Sequence, residues 1–157
     1  MAYPKIGNLA PNFELLDQNG KTITLKQFRG KSNVVVYFYP RASTPGCTTQ
    51  ACGIRDSMDE LAAINTVVLG VSPDAPSKLR KFDDKYGLEF TLLSDENHAI
   101  ADAYGVWALK KFMGKEFMGV IRSSFLVDID GKLRYIFEKV NTKTHNADII
   151  HYIKDNI

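Results

Sequence analysis

Six consecutive residues, Val34-Val-Val-Tyr-Phe-Tyr39, are aliphatic or aromatic, and a proline follows at once. A near-continuous apolar run reads as a strand, Val34 to Phe38, buried within a sheet, because strands that face water on one side alternate polar and apolar residues. From Asn33 onward such short runs alternate with amphipathic helical patterns, the signature of a sheet with covering helices. The fold class is therefore α/β.

The remaining elements follow from periodicity and turn chemistry. Phe13 to Leu16 and Thr22 to Leu25 flank Asp17-Gln-Asn19-Gly20, whose Asn-Gly favours a tight N-terminal hairpin. A helix is expected from about Pro45 into Ala62, with Cys47, Ala51, Ile54, Met58 and Leu61 on one stripe. Thr66 to Val71 reads as a strand, and Ser77 to Tyr86 as a helix closed by Gly87. Phe90 to Leu93 is a short strand and His98 to Tyr104 a brief helix. Val106 to Val120 loses periodicity and reads as an extended loop or insertion. Ser124 to Ile129 and Leu133 to Phe137 form a second hairpin, and Ala147 to Asn156 a terminal helix. A chain of 157 residues with 45% hydrophobic content supports one core, so residues 1–157 are expected to form a single domain.

Both cysteines of the chain lie just beyond the buried strand, in Thr44-Pro45-Gly46-Cys47-Thr-Thr-Gln-Ala-Cys52-Gly53. Thr44 suits an N-cap and Pro45 the first helical position, which puts Cys47 third. That position lies among unpaired backbone amides and suits an anion, so a thiolate is favoured there. Cys47 and Cys52 are five steps of 100° apart on one helix, which leaves them roughly 140° apart around the axis and about 8.7 Å apart at Cα. A disulfide needs less than about 7 Å, so bridging requires the helix to unwind locally. Gly53 either eases that opening or permits close packing. Cys52 on spacing alone could also be an inert helix residue. A metal site would need further ligands, and His98, His145 and His151 lie at no ligand-like spacing to the cysteines. The histidines read as surface or cap residues.

Composition narrows the function classes. The 20 Lys and Arg residues nearly balance 18 Asp and Glu and are interspersed, which gives nucleic-acid binding no support. No apolar run approaches membrane-spanning length, and Met-Ala-Tyr-Pro-Lys-Ile-Gly lacks a charged segment followed by an apolar stretch. A soluble cytoplasmic protein is expected. In that compartment two cysteines point to reactivity or metal binding rather than a static staple.

Pro40-x3-Thr44-x2-Cys47 resembles the active-site motif of peroxiredoxins. The stretch from Tyr37 to Cys52, with four residues between the cysteines, resembles the peroxiredoxin Q branch, also called bacterioferritin comigratory protein. The likeness continues through Tyr104-Gly-Val-Trp107, Phe112-Met-Gly-Lys115 and Arg122-Ser-Ser-Phe-Leu-Val-Asp128 to Asp130-Gly131. It implies a thioredoxin-like fold, a central mixed β-sheet flanked by helices, and a thiol peroxidase that reduces hydrogen peroxide and organic hydroperoxides without a cofactor or metal. By the same resemblance Cys47 matches the peroxidatic cysteine, Cys52 the resolving one, Thr44 the hydroxyl that contacts Cys47 and peroxide, Pro40 the pocket shield, and Arg122 the stabilising guanidinium. Arg122 is unassignable from local sequence alone. Arg41 stands where many relatives carry Lys. The implied reductant is thioredoxin, with glutaredoxin or glutathione as alternatives, and the implied state is a monomer.

Two other readings compete. A thiol-disulfide oxidoreductase would carry Cys-x2-Cys, which is absent. A peroxide sensor that relays oxidation to a partner protein would use the same Cys47 chemistry without bulk turnover.

Overall fold

A computed structural model describes residues 3–157; Met1 and Ala2, where the N-terminal reading begins, lie outside the described residues. The strands are β1 (Glu14–Asp17), β2 (Thr22–Thr24), β3 (Asn33–Phe38), β4 (Thr66–Ser72), β5 (Thr91–Ser94), β6 (Trp107–Phe112), β7 (Lys115–Val120), β8 (Ser123–Val127) and β9 (Leu133–Phe137). The α-helices are α1 (Pro45–Asp56), α2 (Met58–Ala63), α3 (Pro76–Tyr86), α4 (Ala99–Ala103) and α5 (His145–Asn156). Seven strands form one mixed sheet in the order β2-β1-β5-β4-β3-β8-β9. The pairs β3/β4 and β4/β5 are parallel, while β3/β8 and β8/β9 are antiparallel.

The apolar run sits where its composition demands. Every residue of β3 is buried, and successive side chains enter opposite faces of the sheet. Val34, Val36 and Phe38 join one core with Leu25, Tyr104 and Phe125. Val35, Tyr37 and Tyr39 join the other, beneath Ala51 and Ile54 of α1, Phe82 of α3 and Ile149 and Ile153 of α5. Gly70 of β4 is a requirement of this second layer: it pairs with Tyr37, and a Cβ there would stand 2.9 Å from the Tyr37 ring.

Two element expectations need correction. The helix expected to reach Ala62 stops at Asp56 and restarts at Met58. Ser57 leaves the helical region at φ −107° and ψ 7°, and its hydroxyl accepts a 2.7 Å bond from Asn146 Nδ2 of α5. A tertiary contact accompanies this break, with no proline or glycine there to announce it. The segment expected as a loop, Val106 to Val120, is a β6/β7 hairpin. Its turn residues Met113 and Gly114 take φ of 52° and 79°, the two positive values of a tight I′ turn. Met-Gly is a poor signal for such a turn. Leu109, Phe112, Phe117 and Met118 all stand exposed, so no core-facing alternation marks the strands either. Gly53 resolves toward packing: a Cβ there would lie 3.1 Å from Asn146 Oδ1, so its absence lets α1 lie close against α5.

Candidate active site

The chain leaves β3 at the carboxyl end of two parallel strands, the edge of an open α/β sheet where ligand sites are built. The connection is short and tied down. The Ala42 amide donates to Asp74 Oδ2 at 2.7 Å, and that carboxylate also takes the Ser72 hydroxyl at 2.8 Å. Ser43 turns the backbone at φ 64°. Thr44 is the N-cap of α1, in extended conformation, and Pro45 stands in its first turn. The Thr44 hydroxyl does not cap the helix; it donates to Arg41 O at 2.9 Å. Its single proton is thereby committed, so it offers only lone pairs to anything beside it.

Cys47 lies in the first turn of α1, buried at 1% exposure, while Cys52 is half-buried one and a half turns on; both thiols are free. Pro40 is half-buried at the end of the strand. Arg122 comes from the two-residue link between the β6/β7 hairpin and β8. Its Nη2 donates to Cys47 Sγ at 3.3 Å and its Nη1 to Gln50 Oε1 at 2.5 Å. Gly46 lies beside this contact: a Cβ there would sit 3.4 Å from Arg122 Nη2, in ordinary van der Waals contact. Thus Cys47, Arg122 and the first turn of α1 converge, whereas the Thr44 hydroxyl is bonded to its own loop and Cys52 is held elsewhere on the helix.

Sequence reasoning missed two members of this cluster. Gln50, on α1 between the cysteines, is 1% exposed; its Nε2 lies 3.1 Å from His145 Nδ1. His145, expected at the surface or as a cap, is instead 2% exposed at the start of α5. Its Nε2 lies 2.5 Å from the Ser124 hydroxyl, and its ring packs edge-on to Tyr37. The correction has a physical cause. The first turn of α5 lies against α1, where Gly53 permits close approach, and that contact buries a helix start that local sequence cannot distinguish from an exposed one. Lys110 of the hairpin donates to Val120 O at 2.9 Å. Burial, and then the Arg122 charge, push its ammonium down.

Burial, and then the Arg122 charge, push the His145 imidazole down from 6.5 to about 3. The folded chain therefore keeps it neutral while the unfolded chain takes up a proton below pH 6.5, so its stabilising contribution is complete above that value and is lost as pH falls toward 3. Between pH 7 and pH 5 the expected loss is about 2 kcal/mol. Urea unfolding at the two pH values should show it, with a much smaller difference in His145→Asn; equal slopes in the two proteins would refute it.

Comparison with known proteins adds an independent finding. Residues 6–136 match the AhpC/TSA family. The chain is 52% identical to a putative peroxiredoxin bcp of Haemophilus influenzae over 149 residues, which is 95% of this chain and 96% of the relative. It is 49% identical to peroxiredoxin Bcp of Escherichia coli over 152 residues, 97% of each chain. Among solved structures it is similar to a Xanthomonas campestris bacterioferritin comigratory protein, studied for alkyl peroxide reduction in trapped intermediate and ligand complexes. That likeness has a TM-score of 0.86 and 31% identity, and covers 91% of this chain and 90% of the other.

Proposed function

The chain belongs to the AhpC/TSA family, in its Bcp peroxiredoxin branch, and from that premise we propose how its own residues carry a thiol peroxidase reaction. The observation that supports it is the 3.3 Å contact of the Arg122 guanidinium with the Cys47 thiol at a helix start. Cys47 as thiolate attacks the distal oxygen of a hydroperoxide; the oxygen-oxygen bond breaks, sulfenic acid forms, and the leaving alkoxide or hydroxide takes a proton to become alcohol or water. Arg122 and the first-turn amides supply fixed positive ends toward the oxygens where charge develops. The Thr44 oxygen, its proton held by Arg41, accepts the hydroperoxide O–H and so orients it. Pro40 screens the thiol from bulk water. Cys52 then condenses with the sulfenic acid, releasing water and leaving an intramolecular disulfide.

A dithiol must return two electrons, and thioredoxin is the proposed donor, acting on a single-domain, cytoplasmic monomer. Among the described residues no helix is long and apolar enough to cross a membrane. Steady-state consumption of hydrogen peroxide and of cumene hydroperoxide, with thioredoxin, its reductase and NADPH, should proceed for many turnovers per enzyme. Consumption that stops after about one equivalent, with glutaredoxin and glutathione equally ineffective, would favour the sensor reading instead.

A further inference from the structure

We propose that His145 is a positioning residue for the peroxide step: through Gln50 it fixes the face that Arg122 presents to Cys47. The inference rests on the reading of Arg122 as a donor to the reacting oxygens. It starts from an ambiguity in Gln50. The two ends of a glutamine amide have almost the same shape but opposite hydrogen-bonding character. Arg122 carries donors only, so Gln50 must present its oxygen to that guanidinium; the reversed amide would set two donors against each other, one of them on the buried Gln50. Arg122 thereby sets which way the amide points, but one bond leaves the amide free to swing away from the guanidinium. A partner at its other end must hold it in place.

His145 is that partner. Gln50 Nε2 is a donor, so Nδ1 of His145, 3.1 Å away, must accept. A neutral imidazole has one acceptor nitrogen and one N–H, which places the proton on Nε2, facing the Ser124 hydroxyl oxygen at 2.5 Å. The donors then run one way along the chain: His145 to Ser124, Gln50 to His145, Arg122 to Gln50, with the other Arg122 nitrogen on the sulfur. Ser124 is anchored by its pairing with Tyr37 and Phe137 on the neighbouring strands. The network therefore ties α1, α5 and β8 to one guanidinium. A leucine could fill the His145 volume, but it could not hold the amide.

The test is the rate of Cys47 sulfenic acid formation by stopped flow, measured on the full chain. His145→Leu should slow it roughly tenfold, less than the ~10² to 10³ expected for losing a donor outright. His145→Asn, whose amide oxygen can take the place of Nδ1, should recover most of that loss. In a Gln50→Leu background His145→Leu should have no further effect, because the interaction it would remove is already gone. Nitrogen-15 spectra of the histidine ring should show the proton on Nε2. Should His145→Leu fail to fold, His145→Gln, whose polar end reaches the Nε2 position instead, should be slower than His145→Asn. An unchanged rate in His145→Leu, additive losses in the cycle, equal rates for Asn and Gln, or a proton on Nδ1 would each overturn the proposal. Arg122→Met separates this from the site reading. A slow Arg122→Met beside a fast His145→Leu sinks the inference alone, and a fast Arg122→Met sinks both.

Discussion

Cys47→Ser is expected to abolish hydroperoxide turnover, while Cys52→Ser should reduce about one equivalent of peroxide at near-normal speed and then stall with thioredoxin. The asymmetry follows from the helix. Both cysteines lie within the unbroken α1, and ideal helical geometry puts their Cα atoms about 8.7 Å apart, beyond the ~7 Å a disulfide tolerates. The folded form presents the Cys47 thiol to Arg122 and holds Cys52 away, so on the proposed roles it serves attack and blocks resolution. For the sulfurs to meet, the first turns of α1 must open, and with them the bonds of Gln50 to Arg122 and His145. On the proposed cycle each turnover passes between a formed helix and a locally unfolded one. Mass spectrometry after one equivalent of peroxide should find an intramolecular Cys47–Cys52 disulfide, and amide exchange across residues 47–52 should quicken on oxidation. Only overoxidised Cys47, or only links between chains, would contradict this.

The parts of this site that local sequence can encode were legible there. Val34 to Phe38 announces a buried strand, and Thr44-Pro45 announces a helix start with Cys47 in its first turn; both stand in the structure as read. What escaped depends on contacts between distant elements. The helix break at Ser57 stands where Asn146, 89 positions on, bonds its hydroxyl. The β6/β7 hairpin hides because its exposed faces carry no buried alternation and its turn lacks Asn-Gly. Gln50 could have been marked as a polar residue on the stripe side of α1, between Cys47 and Ile54. His145 carried no such signal, since nothing in the last helix shows which of its histidines meets the site.

Arg122→Ala should lower the second-order rate with hydrogen peroxide by about 10² to 10³, the usual loss for one preorganised donor in a dry site. The size of the effect decides what Arg122 does. A free cysteine near pKa 8.5 is about 3% thiolate at pH 7, so an arginine that merely kept the sulfur ionised could gain no more than roughly thirtyfold. Raising the pH until the thiolate saturates should therefore leave most of the deficit in place. Arg122→Lys sharpens the distinction: it keeps a positive charge but loses the planar fork that reaches Cys47 and Gln50 from two nitrogens of one guanidinium. A lysine variant closer in rate to the alanine variant than to the native protein would assign the effect to geometry at the breaking oxygen-oxygen bond. Full recovery of the alanine variant at high pH would reduce Arg122 to a keeper of the thiolate and reject the donor role.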